Sequence, residues 1–175
     1  MKVDVTDLLS VEDKAFEQKV ETELTSFQSK LGEFPIIRKA PFVLHLENHK
    51  KRYIKVTGTT DVVVVVPCDR CLKEVQVTLH LVIDRKLYLE EPEFGEDADE
   101  EDMGCIKDSA LDVDWLIYDE ILVNWPTKVL CREDCKGICR KCGTNLNDNS
   151  CSCDQGEPDP RMAVARDIFN QFKEV

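Results

Sequence analysis

Apolar and polar residues alternate most regularly after Cys71, where Val75, Val77, Leu79, Leu81 and Ile83 recur at every second position. Successive side chains of a strand point to opposite faces, so this spacing predicts a strand with one buried face. Upstream, the runs "FVLHL", "RYIKVTG" and "DVVVVVP" are rich in β-branched and aromatic residues and are punctuated by charge and glycine, which favours further strands. Joined in order, these runs predict an antiparallel sheet or a small barrel. Nearer the N-terminus the pattern is less decisive. Phe16, Val20 and Leu24 stand four apart, which fits a helix face and also alternate positions of a strand. Residues 5–10 read as a short strand and turn.

Helical spacing appears later. Residues 113–125 are apolar over a helical length, with Trp115, Leu116, Tyr118, Ile121 and Leu122 at helix-compatible positions. Asp112 suits the N-cap and Pro126 the stop. Two acids inside this segment, Asp119 and Glu120, are read as lying on its exposed edge. In "PDPRMAVARDIFNQF", Asp159 can cap, Pro160 suits the first turn, and Met162, Ala165, Ile168, Phe169 and Phe172 line one face. The expected fold class is α+β: an antiparallel sheet or small barrel core, two helices and a C-terminal cysteine-rich zinc module. Residues 1–126 form the β-rich core, with an acidic loop at 90–102 and the helix at 113–125. Residues 127–175 form the zinc module and C-terminal helix, packed on that core.

The chain of 175 residues, 42% hydrophobic and 33% charged, allows a real core and excludes global disorder. Its N-terminus lacks a basic stretch followed by an apolar one, so no secretory signal is read. The longest conspicuous apolar run, residues 62–66, is far too short to cross a bilayer. A cytoplasmic location follows as the expectation. There thiols are held reduced, and nine cysteines, an odd number, pair poorly into disulfides. Metal binding becomes the leading explanation for them.

Six of the nine fall between Cys131 and Cys153. Cys139-Arg-Lys-Cys142-Gly143 has the shape of a zinc knuckle: two intervening residues let both thiolates converge on one ion, and glycine permits the tight turn. Cys151 and Cys153 complete a set of four. Cys68 and Cys71, placed where a hairpin turn would fall, join Cys131 and Cys135 in a second set. Cys105 is left over. Zinc, one or two ions, is favoured over an iron–sulfur cluster, because ferredoxin-like spacing is absent. Four sulfurs close a site and leave no position for water or substrate, which argues for structure rather than metal catalysis.

Charge divides the chain further. Its net value is −12, yet nine acids crowd into residues 90–102: Glu90, Glu91, Glu93, Glu96, Asp97, Asp99, Glu100, Glu101 and Asp102. Two basic segments oppose them. One holds Arg38, Lys39, Lys50, Lys51, Arg52 and Lys55, and the other Lys128, Arg132, Lys136, Arg140 and Lys141. Such runs are commonly solvated surface, and also candidate contacts for a basic protein and for RNA respectively.

Enzymatic readings find little support. A thiol redox site at Cys68 and Cys71 needs the first cysteine at a helix start, whereas the residues that follow alternate like a strand. His45, His49 and His80 form no triad pattern, and no phosphate-cradling glycine loop occurs.

The motif "CDRCL" after a β run, then Asp112, Glu120 and Pro126, then Cys131 and Cys135 with the "CG", "NLN" and paired-cysteine sequence, and finally "DPR", closely resemble the bacterial YceD family, whose Gram-positive members include YlbN. The match keeps order and spacing over nearly the whole chain. It implies a non-enzymatic role in accumulation of large-subunit ribosomal RNA, hence in ribosome assembly. It also implies, as partner candidate, a basic ribosomal protein such as the small zinc-ribbon protein encoded beside family members, bound through acidic residues 90–102. Direct RNA binding through the basic segments is the alternative. Arg140 stands where family members often carry proline, which loosens the turn but removes no ligand. Some relatives keep the early cysteine pair without the C-terminal cluster, so that cluster is expected to stabilise this branch.

Overall fold

The longest structure is a hairpin of two fifteen-residue strands, β6 (Tyr53–Pro67) and β7 (Glu74–Tyr88), paired from Tyr53↔Tyr88 to Pro67↔Glu74. The computed structural model describes residues 1–89, 106, 107 and 109–153. The acidic stretch 90–102, Cys105 and the helix expected near residues 159–172 lie outside the described residues.

Among the described residues, seven further strands and two helices accompany the hairpin. They are β1 (Lys2–Asp4), α1 (Thr6–Ser10), β2 (Ala15–Val20), β3 (Ser26–Ser29), β4 (Gly32–Lys39), β5 (Phe42–His49), β8 (Ile106–Lys107), β9 (Ala110–Asp112) and α2 (Val113–Val123). The fold is α+β with antiparallel sheets. β7 lines one edge of β6 throughout. The other edge is shared: β5 pairs with residues 53–58 and β4 with residues 62–64. β2 extends the sheet beyond β5, and β3 extends it beyond β4. Among the described residues these pairings do not close on themselves, so the core is an open branched sheet rather than a barrel. A small second sheet runs β1-β9-β8.

Alternation decides the buried face. Leu44, Leu46, Ile54, Val56, Leu81, Ile83 and Leu87 all point into the core, with Leu8 of α1 and Leu116, Ile117 and Ile121 of α2. α2 packs against β7. Phe27 is buried between Tyr118 and Trp125, with ring centroids 5.1 and 4.9 Å away. Asp112 caps α2 as the sequence predicts, its carboxylate accepting from the N–H groups of Asp114 and Trp115. No helix among the described residues is long and apolar enough to cross a membrane.

Two local expectations change and one open reading is settled. Residues 6–10 form a helical turn instead of strand and turn, because Asp4 accepts from the Thr6 N–H and turns the chain at the end of β1. Residues 15–20, ambiguous by period, are a strand. The runs at "RYIKVTG" and "DVVVVVP" are one strand: Gly58 marks no break but a close approach, since a Cβ there would lie 3.0 Å from the Val43 carbonyl.

The β5–β6 turn has unusual chemistry. Lys50 and Lys51 have φ of 51° and 57°, and the Arg52 N–H donates to the His49 carbonyl at 2.9 Å. Two left-handed central residues are the backbone that a type I′ turn fills with Asn-Gly, and Arg52 follows as an extra residue before the His49↔Tyr53 pair. Left-handed backbone costs a residue with a Cβ about 1–2 kcal/mol. Buried Asn48 offsets part of that: its Oδ1 accepts the Lys51 N–H at 2.9 Å, and its Nδ2 donates to the Leu8 and Val11 carbonyls.

By internal packing the described chain forms two units. One comprises Met1–Asp69 and Lys73–Cys131, and holds every strand and helix. The other comprises Arg70–Leu72 and the described residues from Arg132 onward, an irregular segment rich in turns.

Candidate metal centre

Cys68 and Cys71 stand in the turn that closes the β6–β7 hairpin. The Cys68 N–H donates to the Lys73 carbonyl at 2.8 Å, and Leu72, just after the second cysteine, is left-handed with φ 61°. The segment around Cys139 repeats this geometry. The Cys139 N–H donates to the Thr144 carbonyl at 2.8 Å, again five residues on, and Gly143 takes φ 74°. Both Cys-x-x-Cys motifs are therefore wound as the same knuckle. In the first, exposed Leu72 occupies the place that glycine holds in the second.

Side chains fix what approaches each knuckle. Asp69 accepts the Val129 N–H at 2.6 Å while its own N–H donates to the Val129 carbonyl. Arg70 donates to the Cys135 carbonyl at 2.8 Å, and a Cβ on Gly137 would lie 3.1 Å from the Arg70 carbonyl, so glycine is needed there on two counts, with its φ at 78°. Asn147 donates to the Cys135 sulfur at 3.3 Å, and its Oδ1 accepts from the Lys136 N–H and from Arg132. Asn145 in turn accepts from the Asn147 amide. Neither asparagine is among the residues that cysteine spacing and charge pick out in the sequence. The signal was the "NLN" motif itself, since closely spaced asparagines commonly satisfy backbone donors in tight loops.

The eight cysteines gather in two groups: Cys68, Cys71, Cys131 and Cys135, and Cys139, Cys142, Cys151 and Cys153. Within each group the sulfurs lie within 4.8 Å of one another. Four thiolates around one zinc, each about 2.3 Å from it, stand about 3.8 Å apart, so both donor sets fit a tetrahedral ion. Cys68, Cys71, Cys135 and Cys139 are buried, Cys142 is exposed and the others are half-exposed.

The second group is electrostatically polarised. Hydrogen bonds from the Thr144 hydroxyl and N–H, then from neighbouring sulfurs, pull the Cys142 thiol down to about 6. Backbone N–H groups of Cys142 and Lys141 lower Cys139. The hydrogen bond shared with Cys139 raises Cys151, and that shared with Cys142 pushes Cys153 up to about 12. Four negative sulfurs this close cannot coexist without a cation. Without one, Cys142 carries charge while Cys151 and Cys153 keep their protons; a divalent ion would displace those protons.

Other expected residues are dispersed. Arg38 is exposed on β4, whereas Lys39 donates to the Leu24 carbonyl. Lys50, Lys51 and Arg52 come together in one turn, and Lys55 sits 3.8 Å from Asp84. Lys128 is exposed. Lys136, Arg140 and Lys141 line a shallow groove of about 410 Å³ with Cys139 and Cys153. Asp119 and Glu120 are not on an exposed edge. Glu120 is buried, and Arg85 on the core side of β7 donates to it at 2.9 Å while also pairing with Asp119. No helix follows Cys68, so the dipole that would acidify a redox cysteine is missing at that pair.

The fold and these groups define an α+β protein built around an antiparallel hairpin sheet, with two four-cysteine sets able to hold metal. The chain belongs to the YceD family: it matches the family described as "Large ribosomal RNA subunit accumulation protein YceD" over residues 56–169. A relative from Arabidopsis thaliana, "Large ribosomal RNA subunit accumulation protein YCED homolog 1, chloroplastic", is 28% identical over 151 residues, covering 71% of this chain and 47% of its own. The homolog of the same name from Zea mays is 24% identical over 144 residues, covering 66% and 49%. An uncharacterized protein of Mycobacterium leprae is 33% identical over 97 residues, covering 53% and 43%. The chain spans about half the length of the curated relatives it matches. No solved structure matches it.

Proposed function

We propose that this chain is a non-enzymatic factor in accumulation of large-subunit ribosomal RNA, acting in assembly of that subunit. Family membership and the name carried by the plant relatives support the role. The observation that carries the mechanism is the pair of all-sulfur donor sets wound on matching knuckles. Cys68, Cys71, Cys131 and Cys135 would hold one zinc, and Cys139, Cys142, Cys151 and Cys153 another. Zinc bound by four thiolates supplies cross-linking and no open coordination position. The residues around it do positioning work: Asn147, Thr144 and Arg70 orient sulfur-bearing backbone, and none is arranged to move a proton on a substrate.

Binding is then the activity. Acidic residues 90–102 suit a basic ribosomal protein, shielding it before assembly, and the overall charge of −12 favours such a partner. A second reading, direct RNA contact, is favoured by the bases gathered at Lys50, Lys51 and Arg52. The test is recovery of the tagged chain from cells at two salt concentrations, with bound proteins identified and bound RNA sequenced. The expected result is precursor large-subunit RNA together with a basic large-subunit protein. Recovery of neither would contradict the role.

A further inference from the structure

We propose that the solvent face of the sheet at the β5–β6 turn is a binding surface for single-stranded RNA, with a row of aromatic rings for bases and a cluster of bases for phosphates. The proposal rests on the ribosomal RNA role above and gives it a site.

Strand register builds the row. His49 pairs with Tyr53, and Tyr53 with Tyr88, so the three side chains stand side by side on adjacent strands. Their ring centroids are 4.8 and 5.7 Å apart. The next positions along, Ile54 and Leu87, face the core and are fully buried, so the rings belong to the opposite face and are half-exposed. The core does not need them. Among the described residues β7 pairs with no strand beyond β6, so the row ends at Tyr88, where a base can continue the stack. Unpaired bases stack on such rings; a duplex keeps its base faces hidden.

Cations surround the row. Lys86 lies 5.7 Å from the Tyr53 ring centroid, and Lys50, Lys51 and exposed Arg52 form the adjoining turn. Acids are present on the same face. Glu47 is 3.5 Å from His49 Nε2, and Asp84 is 3.8 Å from Lys55, so Lys55 is already compensated. Lys50, Lys51 and Lys86 remain to meet phosphates.

The turn strengthens the case. Two lysines adopt left-handed backbone where Asn-Gly would fit without strain. Strain of this kind persists at sites where the side chains serve a purpose. It also supplies a clean test, because Lys50→Asn with Lys51→Gly improves the turn while removing two charges.

The experiment uses the full, zinc-loaded chain and a fluorescent RNA of about 12 nucleotides, single-stranded or annealed to its complement, with anisotropy read at low and moderate salt. Wild type should prefer the single strand. The turn variant should melt no lower than wild type, bind on the order of tenfold more weakly at low salt, and show a salt slope shallower by about 1.4, as expected for two lost phosphate contacts. Tyr88→Leu should weaken binding by on the order of tenfold with the salt slope unchanged. Equal binding of duplex and single strand, or wild-type affinity in both variants, would overturn the proposal. So would capture of an acidic protein, lost in both variants, by a chain that binds no RNA. In cells, variants that restore large-subunit RNA as fully as wild type would sink this surface and leave the broader role standing. A wild-type chain with no effect on that RNA would sink the role itself.

Discussion

Arg85 follows Val75, Val77, Leu79, Leu81 and Ile83 in step, one more odd position on a strand whose odd positions face the core. It is therefore a cation delivered inward, and α2 answers with Asp119 and Glu120. Removing one partner of such a group strands the others in low dielectric. Arg85→Ala should destabilise the fold by about 3 kcal/mol or more, read as a lower urea midpoint with an unchanged slope. A loss under about 1 kcal/mol would mean that water solvates the acids freely. Alternation thus placed Arg85 legibly. The acids were misread because a charge on a helix is usually solvated, and sequence alone does not show a cation waiting opposite. Leu72 was illegible for another reason: nothing in a leucine announces left-handed backbone, and only the matching hydrogen bond of the second knuckle reveals its role.

At the scale of elements, the two knuckles carry the account. Glycine after Cys142 made one of them readable, and cysteine spacing made the grouping readable; asparagines that brace a cysteine carry no such spacing signal. Purified protein should carry two zinc ions and be colourless. Cys142→Ser should lose one of them and loosen the segment after Arg132, seen as faster amide exchange there with the sheet unaffected. Retention of both ions with unchanged exchange would contradict the second centre. The pH response has a definite sign. At neutral pH the metal-free second group keeps protons on Cys151 and on Cys153, the latter pushed up to about 12, while Cys142, at about 6, is already ionised. Zinc uptake there should release the protons of Cys151 and Cys153 and strengthen as pH rises; below about 6, Cys142 protonates too and the dependence steepens. Calorimetry in buffers of different ionisation enthalpy measures the count. No proton release would contradict the thiol assignment.

On the scale of the whole molecule, charge and role meet. The chain is strongly acidic, yet nine of its 35 acids crowd into residues 90–102 and three of its bases into one turn. Replacing the nine acids with Ser and Gly should leave melting unchanged, weaken binding to a basic large-subunit protein, and raise RNA affinity as net charge approaches zero. Unchanged binding of both would remove the segment from the mechanism. The most direct test of the role itself is the ratio of large- to small-subunit ribosomal RNA in cells depleted of the protein and then resupplied with it. The account predicts a selective fall in large-subunit RNA that the wild-type chain reverses; a ratio that stays constant through depletion would contradict it.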